Sequence, residues 1–191
     1  QVRQNAKVLM LMFQSGDLYL MQLYLVAAVL AGMFIAFGAS SSSVAAFGIE
    51  DVGLARTLTG CVFPVGLMLI VLVGGELFTG DCLMFAGFLD RRYKARQMAR
   101  VLFFVYLGNI VGSVVVAALV FWSGQWNYGS GALAAYTIKI AYGKVHLSFG
   151  SAFVSGILCN ILVCFAVLTA GASKEVNAEA SQEMTATAAE E

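Results

Sequence analysis

Charge is absent from this chain in long, continuous blocks. No Asp, Glu, Lys or Arg occurs from Leu18 to Ile49, from Thr57 to Gly75, from Val101 to Ile138, or from Leu147 to Gly171. A helix that crosses a bilayer needs about 20 predominantly apolar residues, and each block supplies that many or nearly so. Only 12% of the residues are charged and 60% are hydrophobic, against roughly 25% charged in soluble domains. The solvent for most of this chain is therefore lipid. The fold class that follows is all-α, a polytopic membrane helix bundle of about four spans. The lipid bilayer is its first partner, and the protein is expected to be integral and multi-pass in a plasma or inner membrane.

The spans read in order as Tyr19–Ala39, Thr57–Gly75 with a short continuation Cys82–Leu89, Val101–Phe121, and Leu147–Gly171. Ser40–Ser43 reads as the turn that closes the first. Trp122, Trp126 and Tyr128 form an aromatic belt where the third meets the interface. The stretch from there to Gly143 reads as an outer loop. The domain reading is a cytoplasmic N-terminal segment over 1–17, a transmembrane domain over 18–171, and a disordered cytoplasmic tail over 172–191, rich in Ala, Glu and Thr without apolar periodicity.

Orientation follows from the basic residues. Arg3, Lys7, Arg91, Arg92, Lys94, Arg96, Arg100 and Lys174 fall on one side, and Arg56, Lys139 and Lys144 on the other. The positive-inside rule makes the richer side cytoplasmic, with both termini there. The net charge of zero leaves no basic or acidic tail to recruit nucleic acid.

The second span carries the anomaly. Gly74 and Gly75 loosen it; Glu76, Thr79 and Asp81 then set polar groups into an apolar run, with Gly80 between them. Backbone broken at membrane depth must be satisfied by neighbouring protein or a wet cavity. Ionisable groups at that depth mark a pathway or a buried partner. Glu76 and Asp81 read as loop-fixing or capping carboxylates, Asp81 as the N-cap of a half-helix over 82–89. Small residues supply packing faces: Ala31, Gly32 and Gly38 in the first span, and Gly108-x-x-x-Gly112 in the third. Cys61, Cys82, Cys159 and Cys164 lie in apolar runs without metal-type spacing. No nucleophile–base set supports an enzyme, and no catalytic residue, metal or cofactor is expected.

Four motifs in register then point one way. Glu76-Leu77-Phe78-Thr79-Gly80 follows a glycine pair. Leu107-Gly108-Asn109-Ile110-Val111-Gly112 lies in the third span. Lys144-Val145-His146 precedes the fourth, and Gly156-Ile157-Leu158-Cys159-Asn160-Ile161-Leu162-Val163-Cys164 lies within it. Over about residues 25–170 the chain resembles the formate/nitrite transporter family. The resemblance implies an aquaporin-like protomer and a homopentamer with one pore per subunit. It also implies passage of small monovalent anions or their acids, of the formate, nitrite, hydrosulfide, acetate or lactate type. It further implies Phe63 and Leu67 as an apolar constriction, Phe78 and Thr79 as pore-side loop residues, and Lys144 with Asn160 as an electropositive pair on the fourth span. An anion facing apolar rings avoids a large desolvation cost by crossing as the neutral acid, so protons are expected partners.

The family has six spans. This chain ends after the fourth, without the fifth, broken helix and its pore histidine; His146 is not that residue. A truncated chain is therefore expected. The competing reading is a non-conducting partner subunit that assembles with full-length channel chains. On the residues alone, Phe63 and Leu67 read first as lipid-facing or core packing, while a snorkelling lysine at Lys144 and a helix–helix hydrogen bond at Asn160 stand level with the pore reading.

Overall fold

A computed structural model describes residues 18–190, and the N-terminal segment 1–17 lies outside the described residues. Every regular element among them is helical: α1 (Leu18–Ala46), α2 (Val52–Val62), α3 (Pro64–Val73), α4 (Phe78–Asp81), α5 (Met84–Leu89), α6 (Ala95–Trp122), α7 (Ala132–Val145) and α8 (Phe149–Glu190), with a 3-10 turn at Gln125–Asn127. Four helical segments are long and apolar enough to cross a membrane: Met21–Ala46, α2 with α3 as Val52–Val73, Ala95–Trp122 and Phe149–Ser173. The all-α membrane bundle with an interrupted second span is the architecture observed.

Its boundaries correct the sequence reading in four places. Ser40–Ser43 do not end the first span, because α1 runs on to Ala46. The Ser42 and Ser43 hydroxyls each donate back to the Ala39 carbonyl, at 2.9 and 3.0 Å. Serine satisfied on its own helix is no turn former. The outer loop before Gly143 is largely helix α7, begun at Gly131 (φ +89°). Lys144 consequently lies in the last turn of α7, and the fourth membrane helix opens only at Phe149. Finally, α8 continues through the stretch read as a disordered tail; its Ala, Glu, Gln and Met are strong helix formers.

The core is α1. It packs on α6 along one side and on α2 and α3 along the other. Backbones touch because the contact residues are glycine. A methyl group on Gly112 would overlap the Val29 carbonyl, and one on Gly32 would overlap the Asn109 carbonyl. On the α3 side, a Cβ at Gly66 would lie 2.6 Å from the Phe34 carbonyl, and one at Gly38 would lie 2.8 Å from that of Phe63. The Gly-x-x-x-Gly reading of the third span holds: lipid gives apolar helices no hydrophobic drive to associate, so close van der Waals contact supplies it. Ala28, Ala31, Val105 and Val116 fill the seam and are essentially inaccessible.

Polar caps close the interfacial ends. The Asp51 carboxylate accepts from the Leu54 amide at 2.7 Å and starts α2. The loop after α5 holds an Arg92–Asp90 ion pair at 3.2 Å. It also buries Tyr93, whose hydroxyl donates to the Met84 carbonyl. Burial pushes the Tyr93 phenol above its ordinary value and Arg92 pulls it partly back. By contrast, α8 has no fully buried residue along its membrane length, and Phe149 is 85% exposed.

Candidate functional site

The break in the second span is built from the glycine pair outward. Gly74 ends α3 in the left-handed region (φ +84°), a conformation that suits glycine because it has no Cβ. The Gly74 and Gly75 amides both donate to the Ile70 carbonyl, at 2.9 and 3.0 Å. The chain then extends, with Leu77 at φ −110° and ψ 129°, before α4 begins at Phe78. No intrahelical ladder serves the groups between, and lipid offers them no water.

The neighbouring helices serve them instead. The Glu76 amide donates to the Ala27 carbonyl of α1 at 3.3 Å. Asn109 of α6 does the rest. Its Nδ2 donates to the Glu76 carbonyl at 3.0 Å and to the Ala28 carbonyl at 2.8 Å, and its Oδ1 accepts the Phe78 amide at 3.0 Å. One side chain from another helix thus caps α4, which has no side-chain cap of its own. The Phe78 ring also meets Tyr106 edge-on, with centroids 5.6 Å apart.

Asp81 differs from its expected role. It is the last residue of α4, not the N-cap of a following half-helix. The extended Leu77 already lets helix resume at Phe78, so the capping position falls earlier. The Asp81 carboxylate accepts from the Tyr24 hydroxyl of α1 at 3.4 Å. This ties the end of α4 to the same helix that receives the Glu76 amide.

α8 closes the far side. The Cys164 thiol lies 3.4 Å from the Thr79 carbonyl, and a Cβ on Gly80 would meet Val167 at 3.7 Å. Asn160 stands one turn before Cys164 on the same stripe, about 6 Å along the axis. Its Nδ2 donates to the Gly156 carbonyl at 2.9 Å. Among the described residues, the buried Thr79 Oγ1, Asn160 Oδ1 and Trp126 Nε1 have no hydrogen-bond partner. Trp126 lies in the turn after α6, away from the break; the other two flank the α4–α8 contact.

The structure therefore gathers Gly74, Gly75, Glu76, Phe78, Thr79, Gly80 and Asp81 at one locus, with Asn160 on the helix facing it. It does not bring in the others. Phe63 joins α2 to α3 and is 40% exposed, and Leu67 is half-buried one turn on. They precede Gly74 by about 16 and 10 Å of helix rise. Lys144 is exposed on α7, a different helix from Asn160, which lies about 16 Å along α8 from Phe149. Asn109 and Tyr24 escaped sequence reasoning as site residues. The available signal for Asn109 was the one carboxamide between Val101 and Phe121, the third span.

Comparison with known proteins gives the chain its relatives. Residues 18–186 match the family model described as formate/nitrite transporter. The chain is 38% identical over 128 residues to the formate channel FocA of Haemophilus influenzae, an alignment covering 67% of this chain and 45% of the relative. It is 38% identical over 167 residues to a probable formate transporter of Methanothermobacter thermautotrophicus, covering 77% and 60%. A solved structure described as a pentameric formate channel with formate bound superposes with a TM-score of 0.68 at 31% identity. That match covers 76% of this chain and 58% of the other. The chain thus spans about half the length of the curated relatives it matches, and the two described here are a channel and a transporter by name. It belongs to the formate/nitrite transporter family.

Proposed function

We propose that this chain walls a membrane passage for small monovalent anions and their conjugate acids, formate foremost, at the break between α3 and α4. The observation that carries the reading is the pair of unpartnered polar atoms, Thr79 Oγ1 and Asn160 Oδ1, buried beside that break. Buried polar groups in native proteins are nearly always paired, so two exceptions flanking one contact call for a partner that comes and goes. The Thr79 hydroxyl can donate to a carboxylate oxygen. The Asn160 oxygen, an acceptor, suits the O–H of a neutral acid or of water. Together they fit formate in either protonation state, which favours proton-assisted passage.

The apolar walls supply the selectivity for small acids. Phe78 borders Thr79, and Phe63 with Leu67 forms a second ring further along α3. A bare charge in such a ring loses hydration that the protein does not replace, and a neutral acid does not. Lys144 at the exposed end of α7 draws anions toward one mouth. The two relatives and the solved structure described above all carry formate in their names, which supports formate as the substrate; the family description names nitrite beside it, and hydrosulfide, acetate and lactate have no such support. The pentameric neighbour supports a homopentamer, and the apolar, uncovered α8 is a face that lipid or a further subunit would cover. The basic loop at Arg91–Arg100 supports a cytoplasmic location for that end of α6, hence for both termini.

Stopped-flow formate uptake into proteoliposomes holding the chain tests the reading. Uptake well above that of empty vesicles, and reduced by Thr79→Ala, is expected. Uptake at the leak rate would overturn it and leave a non-conducting partner subunit as the function.

A further inference from the structure

We infer that Asn109 is a positioning residue that fixes the width of the aperture at Phe78 and Thr79, and so sets which acids pass. The inference rests on the proposed passage and adds to it the part that holds the aperture in shape.

Asn109 commits both of its donors and its acceptor oxygen to this one task. A carboxamide has two N–H donors and an acceptor oxygen. One donor goes to Glu76 on the near lip of the break, the other to Ala28 on α1, and the oxygen takes the Phe78 amide on the far lip. The two lips are thereby set at a distance fixed by one rigid planar group. The Glu76 and Asp81 carboxyl groups also pair across the extended residue Leu77, but it is Asn109 that grips the backbone on both sides of it.

The anchor itself cannot drift. The Asn109 backbone lies against Gly32, where even a methyl group would overlap its carbonyl. The Ser113 hydroxyl also donates to that carbonyl at 2.7 Å, a bond within its own helix that touches neither lip nor the carboxamide and is not needed to hold the backbone in place. Tyr106, one turn earlier on α6, holds the Phe78 ring edge-on. Both the amide and the ring of Phe78 are thus set from α6, and Thr79 follows Phe78 directly. A carboxylate at position 109 would keep the shape and the acceptor. It would lose both donors and turn negative charge on two carbonyl oxygens. A serine would be too short to reach both lips.

The test measures the acetate-to-formate flux ratio in proteoliposomes for the parent, Asn109→Asp, Asn109→Ser and the control Ser113→Ala. A ratio of fluxes does not depend on how much protein inserts. The ratio should rise at least about fivefold for both position-109 variants, the order of effect of one lost hydrogen bond, and stay at the parent value for Ser113→Ala. A parent-like ratio in a folded position-109 variant would overturn the inference. If the parent carries no formate, the proposed function fails, and a second readout then decides the inference alone. Hydrogen exchange of the segment 74–81 should quicken in Asn109→Ser and not in Ser113→Ala, because the Phe78 amide loses its acceptor. Unchanged exchange would refute the clamp whatever the chain transports.

Discussion

Replacing Gly112 by alanine sets one methyl group against the tightest seam in the molecule. The new Cβ would overlap the Val29 carbonyl and lie 2.8 Å from the Met33 amide nitrogen and 3.0 Å from the Val29 carbonyl carbon. All three are backbone atoms of α1 and have no rotamer to escape into. Since carbon contacts settle near 3.5–4.0 Å, α1 and α6 must part by about 1 Å. Overpacking of this kind costs roughly 1–3 kcal/mol. The better helix propensity of alanine offsets about 1 kcal/mol of that. Gly60 supplies the control, because its Cβ would meet nothing within 4 Å. There the propensity gain stands alone, so the two variants should differ by about 1–3 kcal/mol, with Gly112→Ala the weaker. For a chain of this size that separates their thermal midpoints by roughly 2–12 °C. The assay is thermal unfolding of both purified variants in one detergent. Midpoints that coincide, or a Gly112→Ala protein melting above Gly60→Ala, would refute the close-packed α1–α6 seam.

Two further outcomes follow from the same structure. Lys144→Ala should slow formate uptake severalfold at low formate and low salt, with the difference shrinking as salt rises, because the exposed cation acts through a screened field; uptake kinetics against ionic strength check this. Tyr93→Phe removes the donor to the Met84 carbonyl and should cost about 1 kcal/mol. Because burial raises the native phenol pKa, that contribution is complete below the unfolded value near 10 and fades as pH climbs through the higher native one. The stability gap between parent and Tyr93→Phe, followed by denaturation from pH 8 upward, should therefore narrow only at alkaline pH.

The bundle and its break were legible because lipid imposes simple demands. Four uncharged blocks could only be spans, and glycines beside Glu76 and Asp81 could only be an interruption. The faces at Gly32, Gly38 and Gly108–Gly112 were legible for the same reason, since small residues are what bring helices together there. Helix ends were harder. Inside a bilayer no alternation of polar and apolar residues marks where a helix stops, and Ser40–Ser43 satisfied themselves on their own turn rather than ending it. The site was half legible. Phe78 and Thr79 are local to the break, but their support is not: Asn109 lies more than thirty positions away, and Tyr24 further still from Asp81. Bonds of that range leave no periodic trace in one sequence. Lys144 was misplaced because a helix, α7, intervened where a loop was expected.

The central claim is that the broken second span faces a wet passage rather than lipid or dry packing. Cysteine accessibility at Thr79 tests it most directly. In a background without Cys61, Cys82, Cys159 and Cys164, Thr79→Cys should react with a charged, water-soluble thiol reagent, and formate should slow that reaction. Leu72→Cys, on a residue 71% exposed on the apolar flank of α3, should stay unreactive in the bilayer. A Thr79→Cys protein as inert as Leu72→Cys would contradict the passage at this break.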